Sequence, residues 1–514
     1  MKAKYLIPFL LIIIFNNSLL AQEPADALRY SYLTQPGGTA RNQAIGGAGA
    51  SLGGEFSSLF INPAGLGFYK TGDFVLTPGY SLKTDKSTYL NTGEKATKNS
   101  LNLGASGIVF STPAYGKSAR NYTIGIGINR TADFNNHIYY SGVNNKTSFS
   151  EKYLEELVNN NVTDPNSAAQ DFQFGSSQAY NTYLIEPTYN SDSSSVTGYR
   201  SLANPAFGLQ QQNTINTTGG ITDVALAGAV NLQDKWFIGG TLTFPFLNYN
   251  RNATYVESDI SGDQNNNFNF FQVDESLQTK GVGINGKFGV IYKPVEDVRL
   301  GLAFHTPTFY QLTDNYNAKV TTDLEGYGGE GIKFQSSTDL TDGQLLQSKY
   351  NITTPWRAIF SGSYVFREVA NVENQRGFIT ADIEYVDYKG AAFHSVDNNT
   401  DVSSYYKSLN QTIDNLYKNA VNVRLGGELK FNTVMFRLGG AYYGNPYKNE
   451  SADLVKLSGG LGYRNKGFFV DLTYVYSMNK DVHYPYLLDA PATNIPAYLK
   501  DNAGNIVMTF GFKI

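Results

Sequence analysis

Residues 466–476 read KGFFVDLTYVY. In an extended chain, Phe468, Val470, Leu472, Tyr474 and Tyr476 fall on one side and Asp471 on the other. Side chains of a strand point alternately to its two faces, so this period of two predicts a strand with one apolar face. The pattern returns in NYTIGIGINR (Tyr122, Ile124, Ile126, Ile128) and KWFIGGTLTF (Trp236, Ile238, Leu242, Phe244). It returns again in VNVRLGGELKF (Val421, Val423, Leu425, Leu429, Phe431) and VMFRLGGAYY (Val434, Phe436, Leu438, Tyr442). The opposite faces carry Arg424, Glu428, Arg437 or small residues.

The runs fall at 73–82, 101–110, 121–130, 221–232, 235–246, 280–292, 298–307, 354–366, 377–388, 421–431, 434–443, 455–463, 467–476 and 505–514, fourteen in all. A weaker run, 314–322, is assigned to a loop. The connections alternate in length. Those at 111–120, 233–234, 293–298, 367–376, 432–433 and 464–467 are short, and those at 83–100, 131–220, 251–279, 308–353, 389–420, 444–454 and 477–504 are long and polar. An even strand count, with short turns on one side and long loops on the other, predicts an all-β protein, a 14-stranded antiparallel transmembrane β-barrel. Each run has the length that a tilted strand needs to cross a bilayer.

A secreted β-sandwich also alternates, with its apolar faces turned inward. The charged and small opposite faces suit a polar lumen better. Tyr385, Tyr388, Tyr442, Tyr443, Tyr474 and Tyr476 near strand ends suit an interfacial girdle. The last run, NIVMTFGFKI, alternates through Ile506, Met508, Phe510, Phe512 and Ile514. It is expected to pair with the first, because no backbone group can stay unpaired in lipid.

Composition narrows the classes. The chain has 514 residues, 37 of them Tyr and 51 Gly, with a net charge of −4. That balance argues against a nucleic-acid partner. There is no Cys, which excludes disulfides, thiolate metal sites, a Cys nucleophile and a lipoprotein anchor. The four His (His137, His305, His394, His483) are scattered, and no metal site or cofactor is expected. The opening MKAKYLIPFLLIIIFNNSLLAQ has a basic start at Lys2 and Lys4 and an apolar run over residues 5–15. That run is shorter than the roughly 20 residues of a spanning helix. It reads as a signal peptide, 1–21, cleaved after Ala21.

Residues 22–72 then precede a barrel over 73–514. A ring of fourteen strands is too wide for wall side chains to fill. The stretch GGAGASLGGEFSSLFINPAGLGFY has the make-up of a plug. Gly46, Gly47, Gly49, Gly53 and Gly54 permit tight turns, and Phe56, Leu59, Phe60, Ile61, Leu66 and Phe68 supply apolar surface. Asn62 suits the cap of a short helical turn and Pro63 its first position.

This stretch resembles the N-terminal hatch of the FadL/TodX family of outer-membrane transport proteins. The likeness rests on the glycine prelude, Glu55-Phe56-Ser57-Ser58 and the step Asn62-Pro63-Ala64-Gly65-Leu66. It implies residence in the outer membrane of a Gram-negative bacterium and passive uptake of hydrophobic small molecules, such as long-chain fatty acids or aromatic hydrocarbons. The implied hatch or gate is Asn62, Pro63, Ala64, Gly65 and Leu66, with Phe56, Phe60 and Phe68 as ligand contacts. A bend in the third strand, at Gly125 and Gly127, is the implied lateral opening. The implied partners are the hydrophobic ligand, outer-membrane lipid and lipopolysaccharide, and the barrel-assembly machinery during insertion, with the barrel itself a monomer. An alternative is a barrel of this type that assists surface-protein secretion. The family builds its outer groove from two loops later in the chain, whereas the longest loop here is 131–220.

Other motifs carry less. Gly47, Gly49 and Gly53 follow no strand and precede no Lys, so they make no phosphate loop. Residues 397–401 have calcium-loop spacing at three positions but lack the sixth-position Gly and the twelfth-position Glu. Residues 151–160, EKYLEELVNN, form an amphipathic helix with Tyr153, Leu154, Leu157 and Val158 on one face. No Gly-x-Ser-x-Gly occurs, and no catalytic residue is expected.

Overall fold

A computed structural model describes residues 24–31, 37–114, 118–367, 376–396, 400–449, 452–490 and 493–514. The expected signal peptide, 1–21, and most of the calcium-like loop lie outside the described residues.

Fourteen antiparallel strands close into one ring among the described residues. They are β1 (Asp73–Leu76, Pro78–Tyr89), β2 (Thr92–Leu103, Ser106–Pro113), β3 (Ala119–Asp133, Asn136–Asn144), β4 (Leu209–Leu232), β5 (Trp236–Asp259), β6 (Phe270–Val295) and β7 (Val298–His305, Phe309–Asp323). The remainder are β8 (Leu346–Thr353, Arg357–Phe366), β9 (Gly377–Val386, Ala392–Ser395), β10 (Ala420–Phe431), β11 (Val434–Tyr443), β12 (Leu454–Asn465), β13 (Phe468–His483) and β14 (Ala497–Lys513). The first and last strands pair, Phe74 opposite Phe512 and Tyr80 opposite Ile506. On one rim the turns are tight. Asn432, at φ 52°, and Lys466, at φ 46°, stand in two-residue connections of the left-handed kind that matches strand twist.

The apolar faces look outward. On β10 and β11, Val421, Val423, Leu425, Leu429, Phe431, Val434, Phe436 and Leu438 are all exposed, Leu438 by 75%. Arg424 and Arg437, one residue away from such positions, are buried on the inside, 0% and 2% exposed. A soluble sandwich would show the reverse. A belt of this extent fits lipid, where water imposes no penalty on it.

Four expectations need correction. Residues 83–100 are not a long loop. They form the upper arms of β1 and β2, turning at Leu90 and Asn91 (φ 47° and 66°). The run 314–322 is strand, paired with β6 and β8 as part of β7. The loop 131–220 is therefore shorter than expected, since its ends belong to β3 and β4, and 308–353 likewise supplies strand at both ends. Finally, Tyr388 and Tyr443 are buried inside the barrel, while Tyr442, Tyr474 and Tyr476 stay outside as a girdle requires. Strands β4, β5 and β6 run for 24, 24 and 26 residues, far beyond the roughly 10 that cross a membrane, so their upper parts stand clear of it.

The helix expected at 151–160 spans Ser150–Asn159. It packs with the helices Pro165–Gln170 and Ser176–Asn181 and the hairpin Ile185–Tyr189/Val196–Ser201 on the tall strands. Phe149, Tyr153, Leu157, Tyr255, Phe271 and Tyr486 form the centre of this outer cap.

Replacing Leu438 by Arg puts a charge on the lipid face. The change is expected to destabilise the barrel by about 2–4 kcal/mol, measured by urea unfolding in lipid vesicles. An unchanged midpoint would mean that this face does not meet lipid.

Candidate functional site

Residues 37–69 cross the lumen near the short-turn rim. Thr39 caps the helix Ala40–Ala44, its Oγ1 accepting from the Asn42 N–H at 3.3 Å. Asn62 caps the turn Pro63–Phe68, accepting from the Ala64 N–H at 3.1 Å, with Pro63 in the first position as expected. The segment is then tied to the wall on every side. Ser111 of β2 donates to the Tyr69 carbonyl at 2.6 Å, and Asn121 of β3 to the same carbonyl at 2.8 Å. Thr241 of β5 donates to Leu59 at 2.9 Å, and His305 of β7 meets the Ile61 carbonyl at 2.7 Å. On the far side, Asp382 of β9 accepts from the Ala50 N–H at 3.3 Å. Thr473 of β13 donates to Ala40 at 2.7 Å, and Thr509 of β14 accepts from its N–H at 2.7 Å.

Charge reinforces this ring. Glu428 accepts from Arg437 at 2.6 Å and from Arg41 of the plug at 3.2 Å, and Arg437 also reaches Asp471 at 2.6 Å. Arg424 pairs with Glu384 at 3.0 Å. These lumen charges therefore do more than solvate the interior. Arg41, Arg424 and Arg437 each have a carboxylate partner, and a buried pair broken by losing one member costs about 3–5 kcal/mol. Within the plug, burial is the largest influence on the Glu55 carboxyl and raises it, against the hydrogen bonds from Thr39 and Ser57.

The wall is thinned where the plug touches it. A Cβ on Gly439 would lie 2.2 Å from the Gly46 nitrogen, and one on Gly426 would lie 2.3 Å from the Ile45 carbonyl. Gly127 and Gly125 belong to the same set. A Cβ on Gly127 would lie 2.6 Å from the Phe56 ring and one on Gly125 3.1 Å from the Leu59 side chain, and both glycines stand in an unbroken ladder with β2 and β4. Phe60 lies under Lys287 at 5.6 Å, and Phe68 stacks on Phe237 at 3.8 Å beneath Arg299. Phe56, Phe60 and Phe68 are thus occupied by the wall. Asn62, Pro63, Ala64, Gly65 and Leu66 are buried between the plug and β5 to β7.

Beyond the plug, toward the cap, the lumen becomes apolar. Tyr249, Tyr310, Tyr350, Tyr388, Phe393 and Tyr443 surround a packed apolar interior, the chamber. The helix Pro24–Arg29 lies in it, with Ala27, Leu28 and Tyr30 packed against those rings. Among its polar ties, Tyr417 donates to the Pro24 carbonyl at 2.8 Å and Arg357 to the Ser31 carbonyl at 2.5 Å, and Arg29 lies 4.5 Å over the Tyr249 ring. A second helix, Thr400–Leu416, closes one side through Tyr406, Leu409 and Ile413. Their spacing of three and four is a helical signal within 389–420, a stretch expected as loop, and the structure makes it helix. Between this helix and Ala392–Ser395 runs an outer groove of 770 Å³. Its floor is the stacked pair Phe393 and Tyr406, 6.1 Å apart, which also belongs to the chamber wall.

Among the described residues the wall has a seam between β2 and β3. β3 breaks at Phe134 and Asn135, after a register shift between Arg130 and Ala132. Phe134 turns inward onto Tyr249 at 5.4 Å. Above the break β3 still pairs with β4, but among the described residues no ladder joins it to the upper arm of β2. Side chains bridge the gap instead. Ser100 donates to Asp133 at 3.0 Å, Lys83 to the Asp133 carbonyl at 3.0 Å, and Ser87 to the Tyr139 carbonyl at 2.6 Å.

No protein-family model and no curated protein matches the chain. Among solved structures it is similar to a Pseudomonas aeruginosa FadL homologue, with a TM-score of 0.53 and 13% identity over 93% of this chain and 99% of that one. It is also similar to the P. putida toluene transporter TodX, with a TM-score of 0.48 and 13% identity over 94% and 99%. The first likeness shows that the chain has the FadL-type fold, in accord with the resemblance of its plug segment.

Substituting Gly439 by Leu is expected to force the plug off β11. Single-channel recording in planar bilayers should then show a large conductance that the unaltered barrel lacks. A correctly folded variant that stays closed would mean that the plug does not depend on this contact.

Proposed function

We propose that this FadL-type barrel is an outer-membrane channel for passive uptake of hydrophobic small molecules, such as long-chain fatty acids or aromatic hydrocarbons. The observation that carries the reading is the aromatic chamber, a buried apolar cluster in the lumen that shares Phe393 and Tyr406 with the outer groove. A hydrophobic solute crosses a plain aqueous pore poorly, because nothing there removes its surface from water. The chamber does. Burial of about 200 Å² of apolar surface returns about 5 kcal/mol.

In this reading the solute enters along the groove and displaces Ala27, Leu28 and Tyr30, side chains of its own chemical kind. The plug, with Asn62 to Leu66 at its most buried corner, is the gate that keeps the periplasmic end shut. Release is sideways, through the seam between β2 and β3. Among the described residues the β2–β3 ladder ends at Ser106 and Ile128, and above it side chains such as Ser100 and Asp133 hold the seam beside outward-facing Leu101. The lateral opening is placed at Phe134 and Asn135, and Gly125 and Gly127 serve to seat the plug. No nucleotide or ion gradient is involved.

The chain has no Cys, so a paired substitution reports cleanly. In S100C/D133C, oxidation is expected to stop uptake of a labelled fatty acid or toluene by cells, and reduction to restore it. Uptake that continues through a fully oxidised seam would contradict lateral release.

A further inference from the structure

Strand register places four lysines side by side on the outside of the barrel. Lys95 of β2 lies opposite Lys86 of β1, Lys86 opposite Lys500 of β14, and Lys500 opposite Lys480 of β13. Residues opposite one another in neighbouring strands point to the same face at about 5 Å. All four are exposed, and they share the parity of the lipid-facing residues Tyr80, Leu82, Leu101, Ile506 and Tyr474. Like charges set directly opposite destabilise a sheet. Here that penalty recurs at three successive junctions, and the neighbouring carboxylates do not relieve it. Asp85 and Asp501 point to the inner face, Glu94 takes a hydrogen bond from Ser141, and none of the four lysines forms an ion pair among the described residues.

The height of the row is informative. Reading upward from the outward apolar residues Leu82 and Tyr476, one row of Thr84, Thr97, Asn502 and Met478 intervenes before the lysines. Lys86 is four residues past Leu82, about 13 Å along the strand and about 10 Å in height after tilt. That is the level of the headgroups on the long-loop side. Three strand spacings of about 4.8 Å give the row a width of about 14 Å. A surface hollow of 520 Å³ is lined by Lys86, Lys95 and Lys500, with Glu94 at its side, and the exposed Thr88 adds a hydroxyl donor.

We propose that this row binds a phosphorylated glycolipid of the outer leaflet, with separate phosphates of one headgroup bridging several lysines. A free phosphate ion spans too little of the row to neutralise it, whereas a disaccharide headgroup phosphorylated at both ends matches its width. Because Lys95 stands on β2, the edge strand of the seam, the bound lipid is a neighbour of the lateral opening. The proposal rests on the outer-membrane placement argued above.

The test uses the full mature barrel in neutral detergent and native mass spectrometry, with lipid A carrying two phosphates and the same lipid dephosphorylated. The unaltered barrel is expected to prefer the phosphorylated form by about tenfold or more. The preference should vanish in K86Q/K95Q/K480Q/K500Q and at about 1 M salt, where screening acts over about 3 Å. Millimolar inorganic phosphate should not compete. Equal binding of the two lipids by the unaltered barrel would overturn the proposal without recourse to any variant, and so would competition by inorganic phosphate. Uptake of an apolar probe into proteoliposomes, measured on the same samples, keeps the two readings apart. Lost uptake with the lipid preference intact would count against the transport function alone, and retained uptake with no preference against the lipid site alone.

Discussion

The constraint from which the structure follows is the hydrogen-bonding demand of the backbone. In hydrocarbon an unpaired N–H or C=O costs several kcal/mol, so a sheet that enters the membrane must close on itself. β1 and β14 meet that demand by pairing from Phe74–Phe512 up through Tyr80–Ile506. Closure of fourteen strands leaves an interior too wide for wall side chains to fill. The interior then has to be occupied by other parts of the chain, and the plug, the helix Pro24–Arg29 and the helix Thr400–Leu416 occupy it in three different ways.

The plug is held by polar and ionic ties to strands around the ring, and by close backbone contact at glycines such as Gly426 and Gly439. The helix Pro24–Arg29 packs Ala27, Leu28 and Tyr30 on aromatic rings, contacts that in the proposed function another apolar body replaces. In the proposed function that contrast gives the channel a firm floor beneath a replaceable occupant. The seam obeys the same rule as the closure. Among the described residues the ladder between β2 and β3 ends at Ser106 and Ile128, and beyond it Ser100 and Lys83 donate to Asp133, so that side chains meet part of the hydrogen-bonding demand that the missing ladder leaves.

Much of the barrel is legible in the sequence because lipid imposes a two-residue period on every crossing segment. The runs at 421–431, 434–443 and 467–476 coincide with β10, β11 and the lower part of β13. The period fades where lipid ends. Residues 83–100 are strand, yet they read as KTDKSTYLNTGEKATKNS, because a strand standing in water needs no apolar face. The run 314–322 escaped for the same reason. In the site, Asn62 and Pro63 are readable because capping is local chemistry. The seats at Gly127, Gly426 and Gly439 are not, since what they touch is far away in sequence. The chamber escaped too: Tyr388 and Tyr443 look like girdle residues until the parity of their strands is known.

The central claim is that the chamber between cap and plug holds an apolar solute during its passage. It is tested most directly by extracting the protein from native membranes and identifying by mass spectrometry what remains bound after exhaustive detergent exchange. The account predicts a small apolar molecule close to one per barrel, released when an excess of fatty acid or aromatic hydrocarbon is added. A barrel that carries no such molecule, and that takes up none when it is offered, would contradict it.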